Sequence, residues 1–216
     1  MSSVVLMHAD MKLAQGLRDE IAVAPGVEVT AIADSLPTLR EAFRFGLPDL
    51  LIVDLMLPPT HLKSLLQSLR GQGSFGQPLI LALAVSVDDA RLMDALRHGA
   101  DGYYAHARPT MPLVAAIEQL MRGESSMSPQ IARQVKKHFD GTKWALNDFM
   151  PGNHNPMRMT ESDRLLLQWT AEGYLPNEVA RGLQLTAQAV GVRIRNIYRK
   201  LQFDLRVGAG AMPVVA

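Results

Sequence analysis

The chain has 216 residues, 48% of them hydrophobic, with no cysteine and a net charge of +1. That length holds a larger domain plus a smaller one, and the hydrophobic share excludes a disordered chain. The missing cysteine excludes a disulfide framework and a thiolate metal site, and the near-zero net charge requires any nucleic-acid contact to rest on locally gathered cations. The amino terminus has no basic region and its apolar run breaks at His8, so no signal peptide is read, and no apolar stretch approaches the roughly 20 residues of a membrane helix; the expected location is the cytoplasm, with no membrane partner.

Residues 4–7 form an apolar run that predicts a strand, and residues 11–23 follow with Leu13, Leu17 and Ile21 at helical spacing. Residues 27–32 read as a strand, 37–45 as a helix with Pro37 in its first turn, and 50–53 as a fully apolar strand ending at Asp54. Helical spacing returns over 61–69. Residues 79–85 form another buried strand, 88–97 a helix stopped by Gly99, 102–105 a last short strand and 111–121 a last helix. Five strands alternating with five helices predict a parallel sheet covered on both faces, in flavodoxin-like order.

Beyond Gly123 the character changes. Residues 128–138 predict one more helix, and 139–158 read as a linker rich in Gly, Pro and Asn in which Trp144 and Phe149 imply some packing. Thr160 is a helix cap with Asp163 three residues on, and its helix stops near Gly173. A second helix starts at Pro176 and a third after Thr186. Val190, Ile194, Ile197 and Leu201 form one apolar stripe on the third. At about 100° per residue, Gln188, Val192, Arg195, Asn196 and Arg199 point away from that stripe, with Arg193 and Lys200 flanking it. Arginine reads guanine edges or clamps phosphates, and Asn and Gln read adenine. Residues 156–206 hold eight Lys/Arg against five Asp/Glu, so the positive charge is local. The tail from Val207 to Pro213, with Gly208 and Gly210, favours no regular structure.

These residues carry a resemblance. Met159 to Leu167, Glu172-Gly173, Asn177-Glu178-Val179-Ala180, Leu185-Thr186, Val190, Ile194 and Arg199-Lys200-Leu201 resemble the LuxR-type helix-turn-helix of the NarL/FixJ response regulators, and the first part of the chain resembles that family's receiver. The resemblance implies a flavodoxin-like (CheY-like) receiver over 1–125, a helix and linker over 126–158, and a helix-turn-helix domain over 159–216. It implies double-stranded DNA as partner, homodimers pairing through the face from Asp88 to Met121, and base contacts at Gly191, Val192 and Arg195. The chain departs from the family at Ala189-Val190-Gly191, where a hydroxyl and a lysine that usually meet DNA are absent. The family's fourth helix falls on Val207 to Met212.

The receiver-like site departs further. Asp54 falls where the family places its phospho-accepting aspartate, but the acidic pair that holds magnesium aligns with His8-Ala9, the threonine or serine with Ala84 or Leu83, and the lysine with His106. Asp10 lies nearby on the first turn of a helix. The expectation is a pseudo-receiver controlled without the usual phosphorylation, in a transcriptional regulator that is not an enzyme and needs no cofactor. Two alternatives stand beside it: an interaction protein acting through another regulator, and an ordinary phospho-activated regulator using Asp54. His8, Asp54 and His106 also end strands one, three and five. Two histidines and a carboxylate are a donor set for a transition metal or a sensor of pH near neutrality, although most such coincidences carry no function. His61, His98, His138 and His154 have no ligand-like spacing and read as surface residues.

Overall fold

The computed structural model describes residues 1–71, 77–141 and 158–210, and the chain divides into two compact units, 1–125 and 126–216. Trp144, Phe149 and His154, with the linker residues around them, lie outside the described residues. In the first unit the strands are β1 (Ser2–Met7), β2 (Val27–Ala33), β3 (Leu50–Asp54), β4 (Leu79–Ala84) and β5 (Gly102–Ala105). They form one parallel sheet in the order β2-β1-β3-β4-β5, the flavodoxin-like order the alternation predicted. The helices are α1 (Met11–Ala22), α2 (Leu36–Ala42), α3 (Pro59–Gly71), α4 (Ala90–His98) and α5 (Leu113–Met121). Both faces of the central strands are buried, as in Leu50 to Asp54, where all five residues are inside, because helices cover the sheet on each side. Val4, Leu6, Leu50, Ile52, Leu81 and Leu83 form one face of the core with Leu17 and Ile21 of α1 and Leu113, Ile117 and Leu120 of α5.

Local chemistry sets the helix starts. Asp10 caps α1, its Oδ1 accepting from Lys12 N (2.9 Å) and Leu13 N (3.1 Å), and Asp89 caps α4. The α4 helix begins two residues later than its apolar pattern because Asp88 and Asp89 precede the cap-bonded turn. At the amino ends of β4 and β5, Arg70 of α3 donates to Gly99 O (2.9 Å) and Pro78 O (3.0 Å) and pairs with Asp101. Gly99 sits at φ 141°, and a Cβ there would meet the Arg70 side chain, so this knot needs glycine on two counts.

The second unit contains α6 (Pro129–Gly141), α7 (Glu161–Glu172), α8 (Pro176–Gly182) and α9 (Ala187–Gly210). Helix α6 packs within this unit: His138 Nε2 lies 2.7 Å from Asp204 Oδ2 of α9, and Tyr198 of α9 donates its hydroxyl to Ser126 O (2.8 Å). His138 is therefore no loose surface residue, because an anion on α9 holds it. His98 also has a partner, its Nδ1 lying 2.7 Å from Asp94 O; His61 is exposed. The tail was expected to be irregular from Val207, yet α9 runs unbroken to Gly210. Helical hydrogen bonds already propagating from upstream cost less to extend than to nucleate, so 207–210 join α9 and form no separate fourth helix; 211–216 lie outside the described residues.

Asp163 links the α7 start to α9. Thr160 N donates to Asp163 Oδ2 (2.9 Å) and Asp163 N donates to Thr160 Oγ1 (3.1 Å), a capping box. Lys200 Nζ donates to the same Oδ2 at 2.6 Å, with both side chains buried. Burial pushes the Asp163 carboxyl up, but the Lys200 ammonium and the Thr160 bonds outweigh it and hold it below the usual carboxylate range. A lowered native value places the stabilisation above the unfolded value near 4 and removes it as the pH falls further. The second unit, which contains both tryptophans, is expected to keep a constant melting temperature above about pH 5 and lose it progressively below about pH 4, read by tryptophan fluorescence. Asp163→Asn, which strands the Lys200 charge inside, is expected to destabilise by about 3–5 kcal/mol and to flatten that acid limb. Gly182 of α8 gives a second test. A Cβ there would overlap the six-membered ring of Trp169, so Gly182→Ala is expected to destabilise by about 1–3 kcal/mol, although alanine favours a helix by about 1 kcal/mol elsewhere.

Candidate functional site

The carboxyl ends of adjacent strands β1 and β3 place His8 and Asp54 side by side. Both are buried, at 6% and 4% exposure. Asp54 Oδ1 accepts the N–H of Met56 at 2.9 Å. Its Oδ2 is buried with no hydrogen-bond partner among the described residues, and His8 Nε2 lies 3.6 Å away, beyond hydrogen-bond reach. His8 Nδ1 accepts the N–H of Asp10 at 2.9 Å, so Nδ1 carries no proton and the neutral ring bears its hydrogen on Nε2, toward Asp54. Ala84, at the end of β4, is buried and brings no hydroxyl, and Ala9 is exposed and brings no oxygen.

Neither metal reading suits this geometry. Magnesium takes oxygen donors in octahedral array. Asp10 is exposed, with its Oδ1 spent on the α1 cap; its carboxyl is held below the usual range chiefly by the Leu13 and Lys12 N–H groups. That leaves Asp54 as one converging carboxylate, a donor set that does not fit the ion. A transition metal would need the lone pair of His8 Nε2, which the Asp10 bond to Nδ1 reserves for a proton. His106 does not complete the set. It lines a cavity of about 500 Å³ with Leu17 and Glu20 of α1, Tyr104 of β5 and residues 109–112. Burial, and secondarily the Glu20 charge, push the Tyr104 hydroxyl up. Among the described residues no group of three or more His, Asp or Glu side chains is arranged to hold a metal.

Arg91 and Met56 are neighbours of Asp54 that sequence reasoning passed over. Arg91 Nη2 lies 3.0 Å from Met56 Sδ, at the start of α4. The readable signal was the Asp89-Ala90-Arg91 helix start directly after β4.

In the second unit, Val190, Ile194, Ile197 and Leu201 of α9 are all buried, at 4% exposure or less, as their spacing required. The opposite face is narrower than expected. Gln188, Val192, Asn196 and Arg199 are exposed in one line. Arg193 is half-buried and donates to Ser162 Oγ at the start of α7. Arg195 and Lys200 are buried, at 8% and 7% exposure, which corrects the expectation that they face solvent. For Lys200 the cause is plain: its flexible stem carries the ammonium across to Asp163. Gly191 is buried too, so of the three family base-contact positions only Val192 is outward.

Residues 157–212 match the family described as "Bacterial regulatory proteins, luxR family". Over 213 residues the chain is 26% identical to the nitrate/nitrite response regulator protein NarL of Escherichia coli strain K12, covering 96% of this chain and 93% of that one. Over 175 residues it is 29% identical to the oxygen regulatory protein NreC of Staphylococcus carnosus, covering 80% and 78%. A crystal structure of a LuxR-family two-component response regulator from Aurantimonas matches with a TM-score of 0.52 and 26% identity, over 65% of this chain and 99% of that one. The Salmonella typhimurium response regulator RcsB shares the fold, with a TM-score of 0.51 and 18% identity over 95% and 98%. With the β2-β1-β3-β4-β5 sheet first in the chain and the matched helices α7, α8 and α9 after it, the chain is similar over nearly its whole length to the NarL-type response regulators, and residues 157–212 carry a LuxR-family helix-turn-helix.

Proposed function

We propose that the chain is a DNA-binding transcriptional regulator that reads a two-fold site as a homodimer, its receiver-fold unit serving as a signal-input or dimerisation module that is not switched by magnesium-dependent phosphorylation. The observation that carries this reading is the outward line of Gln188, Val192, Asn196 and Arg199 on α9, within the LuxR-family match. Two amides and an arginine supply adenine-edge contacts and a guanine or phosphate contact, and Val192 suits a thymine methyl. RcsB of Salmonella, on the same fold, has been solved bound to promoter DNA. One helix in the groove reads too few base pairs for specificity, so a dimer on a palindrome is expected. The same reading places the protein with its DNA in the cytoplasm. At Asp54, the single converging carboxylate and the histidine, His106, at the family's lysine position support control by another route.

A second reading, an interaction protein working through another regulator, draws on one observation: burial of Arg195 and Lys200 leaves Arg199 as the fully exposed cation on the outward face of α9 among the described residues.

Selection of bound duplexes from a random pool, followed by titration at several salt concentrations, separates the two. The regulator reading predicts a recovered palindrome and affinity that falls with salt as counterions are released. Asn196→Ala is expected to cost about 1–3 kcal/mol on the selected site, and Arg199→Ala to lower the salt slope by about one when Arg199 meets a phosphate. A pool that yields no enriched site decides for the partner reading. For control, incubation with acetyl phosphate and magnesium is expected to leave the intact mass unchanged; a gain of one phosphoryl group, abolished in Asp54→Ala, overturns that part.

A further inference from the structure

One guanidinium at the start of α4 holds one carboxylate and touches the residue that binds a second. Arg91, in the first turn of α4, donates from Nε to Asp89 Oδ1 (2.9 Å) and from Nη2 to Asp89 Oδ2 (2.7 Å). The same Nη2 touches Met56 Sδ at 3.0 Å, and Met56 gives its backbone N–H to Asp54 Oδ1. One residue thus separates the guanidinium from a buried carboxylate whose second oxygen has no hydrogen-bond donor among the described residues. A carboxylate oxygen withdrawn from water without a donor is costly, and His8 stands too far off to supply one.

We propose that Arg91 is the counter-ion of Asp54, exchanging between Asp89 and Asp54 Oδ2, so that α4 rather than the strand-five position reads the state of the Asp54 site. The inference deepens the reading of Asp54 as uncoupled from phosphoryl transfer, since it names what attends the carboxylate instead. Arginine suits the role because its planar fork pairs with a carboxylate through two parallel donors on a long stem. The field of Asp54 already acts on Arg91 in the same direction as that of Asp89. His106, at the family's lysine position, lines the cavity beside Glu20 and Tyr104. The α4 helix keeps its cap when the guanidinium leaves, because Asp89 Oδ1 also accepts the backbone N–H of Arg91 at 3.0 Å. The Met56 thioether is a weak acceptor on the path between the two seats. Two seats of similar chemistry for one cation make a two-position element, and a ligand or partner that engages Asp89 drives the cation toward Asp54.

Side-chain NMR of the full chain, following arginine Nε–H exchange, tests the exchange directly. Asp89→Asn removes the charge yet keeps a good cap. In that variant the Arg91 Nε–H is expected to stay at least about tenfold slower in exchange than that of exposed Arg40, with the Met56 amide signal displaced as the guanidinium seats on Asp54. In Asp54→Asn with Asp89→Asn the protection is expected to vanish. Exchange as fast as Arg40 in Asp89→Asn alone, or protection that survives in the double variant, overturns the proposal. Phosphoryl labelling of Asp54, read separately by mass, bears on the mode of control and leaves this comparison intact.

Discussion

The buried contact of Lys200 with Asp163 fixes how α9 is presented. Asp163 closes the capping box of α7 with Thr160 and accepts the Lys200 ammonium on the same oxygen, so one carboxylate starts one helix and sets the rotation of another. A buried pair of this kind adds little net stability over an apolar substitute, but removing one partner is severe, which makes it a device for register more than for strength. With Lys200 turned inward and the Val190, Ile194, Ile197, Leu201 stripe packed, the outward line has to be Gln188, Val192, Asn196 and Arg199. The outward face of α9 is therefore richer in amides than in cations. That balance favours base-edge discrimination over indiscriminate phosphate affinity, and it agrees with a chain whose net charge is only +1.

The receiver-fold unit obeys the general rule that open parallel sheets gather function at the carboxyl ends of their strands, yet its chemistry there differs from the one the family implies. Asp54 stands where an acceptor belongs, buried beside a histidine whose protonation pattern is fixed by the α1 cap. At the positions that the resemblance assigns to the magnesium-holding pair stand His8 and Ala9, and at that of the strand-five lysine stands His106, on the wall of a cavity. Beside Asp54 stand His8 and Met56 of its own loop, and Met56 in turn touches Arg91 of α4. Fold and chemistry are set by different residues here: the sheet is built by apolar runs that do not depend on the side chains at the strand ends.

Much of this architecture was legible in the residues. The five apolar runs marked the strands because each is buried on both faces, and their alternation with helices left few topologies. The Thr160–Asp163 cap and the α9 stripe were visible because caps and periodicity are local. Four features were not. The direction of Lys200 depended on Asp163, far away in the chain, and a flexible flanking side chain can follow either face. The inward position of Arg195 belongs to tertiary packing, which angular position on one helix does not encode. The placement of α6 within the second unit, with His138 against Asp204, required contacts between segments that read separately as a linker helix and a tail. The continuation of α9 to Gly210 was hidden by two glycines whose individual propensities argue against a helix.

The central claim is that α9 meets DNA through Gln188, Val192, Asn196 and Arg199 while Lys200 stays locked on Asp163. Amide hydrogen exchange of the full chain, with and without a duplex enriched from a random pool, measures this most directly. The account predicts new protection along the helix-turn-helix centred on 188–199, with the region around Asp163 and Lys200 already protected and unchanged. Protection confined to the receiver-fold unit, or a Lys200 segment that becomes protected only when DNA is added, would contradict it.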